Sequence, residues 1–524
     1  MDSSIAPYDE VPYESNPFAQ THPNRLATVA SLLGMKPKPI ERCRVLELGC
    51  ASGGNLIPMA IELPGSEFVG IDLSALQIDE SNEILRKLDI KNVRLEHCNI
   101  ADIDKKFGLF DYIICHGVFS WVPFDIQDKI LEICRENLSW NGVAYVSYNA
   151  LPGWHMRGMI RDMMCYHTAR FTDNQMKVEQ ARALIDFLLQ SVTNEKSAYA
   201  IWLKEEFELL KKVKNYYIFH DHLEDNNDAL YFHQFIERAQ KKYLQYLGEA
   251  DFQMMLGINV PPKTDETLRK LFPDSINYEQ YLDFVRNRMF RQTLLVHNNI
   301  ILNRNVKEDR INNMLVACSA TPVSGGSGET SNMAQEFKNL SGLSFNTGSM
   351  ITKTAIKVLA EYWPKPILFI ELLSLASSRI GKKGEGPSPL EGPDAVKLKA
   401  DLLYLYASGI VELHSYAPPF VSTVSELPIA SPFARFQAEK GLSVTNLRHE
   451  LIMLDEPMRR VLLMLDGKHR SQAIFDNVCE MIEKGILVAN KGGVPTNVET
   501  VKSDVESLVN QMIIKLANQA LLMN

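Results

Sequence analysis

No run of about 18 apolar residues occurs anywhere in the 524-residue chain, so the sequence predicts no membrane span. Cysteine is scarce, eight in all, and no two are spaced as CxxC, which excludes a visible zinc cage or a thioredoxin-like redox motif. Several cysteines lie inside apolar runs, where a reduced, buried thiol is expected. This usage points to a reducing, cytoplasmic setting. An excess of basic charge is also missing. The formal net charge is −9, with 55 Lys and Arg against 64 Asp and Glu, which disfavours nucleic acid or an anionic membrane as partner. The first residues, MDSSIAPYDEVPYESNPF, carry no apolar core of the secretory kind, so no leader is expected.

What the chain does have is alternation of strand and helix signals over its first 150 residues. Short apolar runs at VLELGC (45–50), EFVGID (67–72), VRLEHCN (93–99), DYIICH (111–116) and VAYVSYN (143–149) predict five strands. Helical spacing between them predicts a parallel sheet covered on both faces. Two further strands are expected at 243–249 and 290–297, after a long helical excursion. The expected fold is therefore α/β, a seven-stranded Rossmann-like sheet with a helical insert, followed by a mostly helical C-terminal part. The expected divisions are an N-terminal lid and core (1–153), a helical insert (154–228), completion of the sheet (229–300), a linker rich in Gly, Ser and Thr (301–350), a winged-helix-like module (351–425) and a C-terminal helical domain (426–524).

The first strand ends in Glu47-Leu48-Gly49-Cys50-Ala51-Ser52-Gly53-Gly54-Asn55. Glycine permits positive φ and close approach of backbone to a ligand. The following helix offers free N–H groups and the positive end of its dipole. Asp72 closes the second strand, at about the spacing of a ribose-binding acid, with Leu73 beside it; the alternative is that Asp72 only caps the next helix. At the end of the third strand, Asn99 and Ile100 are candidates for the adenine edge and face, against the alternative of a plain loop. The same geometry serves dinucleotides. The Glu47-to-Gly53 segment, however, resembles the first motif of class I S-adenosylmethionine (SAM)-dependent methyltransferases. The cofactor set read from it is Glu47, Gly49, Cys50, Ala51, Gly53, Asn55, Asp72, Leu73, Asn99, Ile100 and His116, with S-adenosylhomocysteine as the product.

Acceptor residues should follow the fourth and fifth strands. The first of these continues as His116-Gly-Val-Phe-Ser-Trp121, without the Asn/Asp-Pro-Pro-aromatic motif of adenine amino-methylation or the Pro-Cys of cytosine C5 chemistry. The second ends Tyr148-Asn149 and runs into Trp154-His155. An aromatic, hydroxyl and amide lining suits a neutral amine. The acceptor candidates are Tyr13, His116, Trp121, Tyr148, Asn149 and Trp154, with His116 or His155 as a proton relay or as ordinary hydrogen-bonded residues. The aromatic and proline-rich strip from Tyr8 to Pro23 is read either as a lid over this channel or as packing on the sheet edge. His220-Asp221-His222 with Glu224 lacks a third local ligand at helical spacing, so no metal is expected and the group is read as structural or as a pocket edge.

The segments YDEVPYESNPFAQTHPNRLA, HGVFSWVP, SYNALPGWHMR, YFHQFIERA, DFVRNRMFRQTLL and NLRHELIMLDEP together resemble bacterial methyltransferases carrying a methyltransferase regulatory domain, similar to outer-membrane-protein lysine methyltransferases. The resemblance spans nearly the whole chain. It implies a SAM-binding domain, dimerisation through the helical insert as a homodimer, a middle domain, a C-terminal winged-helix-like domain, and lysine N-methylation of a protein substrate. Glu47, Gly49, Gly53, Asp72 and Asn99 match general cofactor positions of the class; the acceptor residues rest on location alone. A small-molecule methyltransferase and a SAM-binding regulator that contacts nucleic acid are the other readings. The second is weakened by the recognition-helix candidate Ala395–Ala407, which has only two lysines.

Overall fold

Alternating burial along the first strands decides the architecture. In the computed structural model, which describes residues 13–323, 333–381, 390–487, 490–491, 494–495 and 498–524, β1 (Arg44–Leu48), β2 (Glu67–Asp72), β3 (Val93–His97), β4 (Phe110–Cys115) and β5 (Leu138–Asn149) lie parallel. Runs such as Val45–Leu48 and Tyr112–Cys115 are buried throughout, as expected of strands covered on both faces. The helices α1 (Pro23–Leu32), α2 (Leu56–Glu62), α3 (Ala75–Lys87) and α4 (Phe124–Glu136) flank them. The sheet is completed by β6 (Leu244–Glu249) and β7 (Phe290–His297), in the order β3-β2-β1-β4-β5-β7-β6. β7 runs antiparallel to both β5 and β6.

β5 separates two environments by its period of two. Ala144, Val146 and Tyr148 pack with Phe232 and Phe235 of α9 (Phe232–Lys241), the helix that follows the four helices of the insert. Tyr145 joins the opposite core, with Ile114 and Leu247.

The insert consists of α5 (Trp154–Thr168), α6 (Asn174–Ser191), α7 (Ala198–Lys212) and α8 (Asn215–His222), around a small core of its own that includes Ile160, Ile185, Leu203 and Ile218. The chain then returns through α9, α10 (Pro262–Leu271) and α11 (Ser275–Arg286). Arg291 of β7 is fully buried and is held by Glu249 (2.8 Å), Glu279 (3.1 Å) and both oxygens of Asp283 (2.8 and 2.9 Å). This network pins α11 and β6 to the sheet. Removing one member would leave buried charge uncompensated.

The segment expected to be a linker is folded. Between 301 and 350, among the described residues, β8 (Leu315–Ala317), β9 (Thr321–Pro322), β10 (Gln335–Lys338) and β11 (Ser344–Thr347) form, and Ile311, Val316 and Phe337 are buried. The most Gly- and Ser-rich stretch, 324–332, lies outside the described residues. β8 pairs with β12 (Ile367–Leu368) and β13 (Glu412–His414), beside α12 (Met350–Tyr362), α13 (Phe369–Arg379) and α14 (Pro393–Ala407). These helices share one continuous apolar core with α1 and α2, so the middle module is fused to the catalytic sheet. A separate core holds the C-terminal part together: α15 (Pro432–Lys440), the hairpin β14 (Ser443–Thr445) and β15 (Leu451–Met453), α16 (Glu456–Met464), α17 (Ser471–Glu483) and, after the strands β16 (Asn490–Lys491) and β17 (Val494–Pro495), α18 (Val498–Asn518). No described helix is long and apolar enough to cross a membrane.

Candidate cofactor and acceptor site

The turn after β1 is built on three residues with left-handed backbone: Gly49 (φ 76°), Ala51 (φ 47°) and Gly53 (φ 76°). Ala51, which stands where a third glycine would be usual, adopts a conformation that costs an L-residue about 1–2 kcal/mol. Asp72 holds it there. One carboxylate oxygen accepts the Ala51 N–H at 2.8 Å and the other accepts the Ser74 N–H at 2.9 Å. Asp72 therefore fastens the turn to the end of β2 and also serves the local capping role. Leu73 beside it is 48% exposed. At the neighbouring end of β3, Asn99 caps a short 3₁₀ turn through Ala101 N–H (2.9 Å), with Ile100 half-buried behind it.

Beneath the turn, Glu47 is buried. Asn55 Nδ2 donates to its Oε1 at 2.6 Å, and its Oε2 has no partner among the described residues. Burial pushes its carboxyl up to about 8, only partly opposed by the Asn55 hydrogen bond. Cys50 is buried beside it. Asn55 is a junction, because its Oδ1 accepts from Phe18 N–H (3.0 Å) and pairs with His449 Nε2 (2.6 Å). His449 comes from the turn between β14 and β15, is itself in left-handed backbone (φ 62°), and is kept neutral by burial. Neutral imidazole with its proton on Nε2 makes it the donor. From the other direction Gly54 N–H donates to Ser15 Oγ at 2.7 Å, so the N-terminal strip also grips the turn.

The acceptor candidates fall into separate places. His116 packs on Phe18 with the rings tilted by 45° and centroids 4.0 Å apart, meets Phe290 edge-on, and bonds through Nδ1 to Tyr145 OH at 2.8 Å. Burial lowers its imidazole to about 4. Trp121 and Trp154 form an edge-to-face pair at 6.3 Å, and Trp154 Nε1 donates to Asn227 at 2.8 Å. Asn149 is buried with its Nδ2 unpartnered among the described residues. Tyr13 packs against the insert, touching Tyr216 and His220, while Gln77 donates to its carbonyl (2.8 Å). Tyr148 does not join them. It stacks on Phe235 at 4.1 Å in the core, its hydroxyl 3.3 Å from Thr293, because its strand position faces α9. The hydroxyls on the site side are those of Tyr145 and of Ser147, which accepts from Gly117 N–H at 2.9 Å; counting back by two from Asn149 along β5 points to both. Of the strip, residues 8–12 lie outside the described residues; residues 13–22 cover the turn. No three His, Cys, Asp or Glu among the described residues are placed to hold a metal ion. His220 bonds Glu224 (3.1 Å) instead.

Two concavities flank this assembly. A polar cleft of about 440 Å³ lies where the catalytic core, middle module and C-terminal domain meet, bordered by Gln20, His22, Gln292, Tyr406, His414 and Arg448. An open groove of about 590 Å³ runs along Trp154, His155, Arg161 and Asp228.

Comparison with known proteins agrees with this layout. Residues 40–227 match a methyltransferase domain, 214–297 a "Predicted methyltransferase regulatory domain", and 426–521 a "PKMT, C-terminal winged helix domain". The winged helix of that family thus falls on the segment whose pattern reads as a C-terminal helical domain. The chain is 40% identical over 526 residues to the Rickettsia prowazekii protein RP789, covering 98% of this chain and 93% of that one. A shorter protein of the same organism, RP028, is 43% identical over 240 residues, 46% of this chain and 96% of that one. The structure of PKMT2 from Rickettsia typhi in complex with AdoHcy superposes with a TM-score of 0.88 at 34% identity, covering 98% of this chain and all of that one. The chain therefore belongs to the PKMT family of SAM-dependent protein lysine methyltransferases, with a class I catalytic sheet, a regulatory domain and a C-terminal winged helix.

Proposed function

We propose that this methyltransferase modifies lysine side chains of an outer-membrane or surface protein before its export, acting in the cytoplasm as a homodimer joined through the helical insert. The observation that carries the reading is the turn at 49–54: a buried acceptor without a partner among the described residues, Glu47 Oε2, lies beneath it, and an aromatic strip lies over it. The donor set fits SAM. Its α-ammonium needs an acceptor such as Glu47, and its ribose hydroxyls need one such as Asp72, which stands half-exposed at the C-terminal end of β2. When bound, SAM supplies an electrophilic methyl carbon on a sulfonium.

The chain's own residues do the rest. The turn and strip fix the donor and exclude water. The aromatic wall of Phe18, His116 and Phe290 shields the attacking amine, and Tyr145 orients the His116 ring. An imidazole lowered to about 4 is too weak a base to carry the amine's proton, so His116 positions and shields. Alignment of amine and methyl within attack distance provides most of the rate advantage. A protein acceptor is supported by the cleft between domains and the open groove at Trp154, which suit an extended chain better than a closed small-molecule pocket would.

The test is incubation with methyl-labelled SAM and a panel of outer-membrane proteins, followed by peptide mapping. Label on lysine side chains supports the reading. Label only in the small-molecule fraction overturns it. For the pocket, Asp72→Ala in the folded protein should weaken SAM binding about tenfold by calorimetry; unchanged affinity removes Asp72 from the ribose role.

A further inference from the structure

On α8 the residues one turn apart share a face: Tyr216 lies with His220, and Tyr217 with Asp221. The Tyr13 ring closes on this face, meeting Tyr216 edge-on at 5.1 Å and His220 at 5.7 Å. Asp221 is half-buried and has no hydrogen-bond or ion-pair partner among the described residues. The nearest guanidinium, Arg157, is already committed. It donates to Glu206 at 3.0 Å and to Tyr217 OH at 3.4 Å, and it lies over the Trp154 ring. His220 is turned to Glu224.

Burying a carboxylate is costly, and here burial pushes the carboxyl up to about 7, opposed only in part by the charge of Arg157 and of His220. The tyrosine hydroxyls around it are held protonated: Tyr216 and Tyr217 rise to about 12, and Tyr13 higher. The titratable groups whose charge acts on Asp221, or on which it acts, are Tyr13, Tyr216, Tyr217, His220 and the engaged Arg157. A carboxylate one helical turn from a tyrosine, with Tyr13 packed on Tyr216 of the same short helix, is chemistry suited to an ammonium ion. The place is right as well. Tyr13 is two residues from Ser15, which holds Gly54 of the cofactor turn, and Gln77 at the start of α3 donates to the Tyr13 carbonyl.

We infer that Asp221, with the rings of Tyr13, Tyr216 and Tyr217, is the recognition site for the ammonium group of the acceptor lysine. Pairing brings the cation beside the cofactor turn. The ammonium then gives one proton to the Asp221 carboxylate, leaving a neutral amine and a neutral carboxyl group, so charge and atoms balance before any carbon–nitrogen bond forms. The inference rests on the lysine reading proposed above and adds the residue that selects the acceptor.

The test separates the two. Full-length protein loaded with S-adenosylhomocysteine is titrated with n-butylammonium chloride by calorimetry, as parent, Asp221→Asn and Tyr216→Leu. Saturable binding by the parent, weakened about tenfold or more in both variants while S-adenosylhomocysteine affinity stays within about a factor of two, supports the site. Binding equal in parent and Asp221→Asn, or no saturable binding by the parent, overturns it. On a lysine-containing protein substrate, Asp221→Asn should lower kcat/KM about 100-fold, with partial rescue by Asp221→Glu; activity retained within about twofold also overturns it. Failure of the lysine reading looks different: butylammonium still binds at Asp221, yet no methyl-lysine appears in the protein substrates.

Discussion

The N-terminal strip and the winged-helix domain both grip the cofactor turn, one from each end of the chain, and they do so with different chemistry. The strip, from Tyr13 to His22, is half-exposed for much of its length and holds the turn through several bonds: Ser15 Oγ accepts from Gly54 N–H, Phe18 N–H donates to Asn55, and Thr21 Oγ1 pairs with the Asn55 amide. Its outer edge ends in an exposed pairing of Glu14 with Lys214 of the insert, the kind of contact that contributes little. The winged-helix domain instead sends one buried side chain, His449, onto the same Asn55. The turn carrying it is braced by Arg448 on Glu412 and by Asn446 accepting from the Glu450 N–H at 2.8 Å. The outer part of the strip, at Ser15 and Phe18, is half-exposed, so water can replace its hydrogen bonds, whereas Thr21 at the inner end is buried on Asn55. His449 cannot withdraw without stranding a buried polar group, which costs about 1–3 kcal/mol. The outer strip is thus the more exposed support of the turn and His449 the more deeply buried one.

Glu47 and Asn55 are the anchor both sides share, so altering it should have the largest effect. The Glu47 carboxyl is raised in the fold from 4.5 to about 8. The unfolded chain therefore ionises first, and stability is lost as pH climbs between those values. Glu47→Gln, which cannot ionise, should melt like the parent near pH 4.5 and be more stable than it by a few kcal/mol above pH 8, while binding SAM more weakly. A difference in melting temperature that does not grow with pH would sink this account.

Next in size, Gly54→Ala breaks the strip side, because a Cβ there collides with the Ser15 carbonyl. SAM affinity should fall by about 2–3 kcal/mol, with little change in global stability; equal melting and equal affinity would show that the strip does not hold the turn. His449→Ala breaks the other side. We expect a loss of about 2 kcal/mol shared between stability and SAM affinity, recovered in part by His449→Gln, whose amide can still donate. Loss of stability with unchanged SAM affinity in both variants would reduce His449 to an interdomain contact. The smallest effect belongs to Ser15→Ala, about 1 kcal/mol or less in SAM affinity, since the freed Gly54 N–H remains within reach of water.

Periodicity made much of the sheet legible before the structure. The strands at 67–72 and 290–297 coincide with β2 and β7, because their apolar runs are short, uninterrupted and bounded by clear turns. The 49–54 turn was legible for a related reason: glycines, an acid at the strand end and a second acid about 20 residues on are local signals. Tyr148 shows where local reading stops. Position along the strand marks it as near the site, but the facing of β5, set by α9 on one side and the strip on the other, sends it into the core and puts Tyr145 against His116. The 301–350 segment shows the same limit, since a Gly- and Ser-rich stretch hides three-residue strands such as Leu315–Ala317, whose partners lie about 50 and 100 residues away. His449 sits within NLRHELIMLDEP, a segment with a family-like pattern but no chemistry of its own; nothing local connects it to Asn55, 394 positions away.

By itself the sequence determined the sheet, the methyl-donor turn and the absence of a long apolar span, because each is written in residues that are neighbours along the chain. Only the tertiary structure decided which tyrosine of β5 meets His116, that Asp72 clamps Ala51, that Tyr13 packs on Tyr216 and His220 of the insert, and that a histidine near the C-terminus braces the cofactor turn. Those pairings depend on packing between elements far apart in sequence. Burial there sets the cost of every unpartnered donor and acceptor, and no local pattern encodes it.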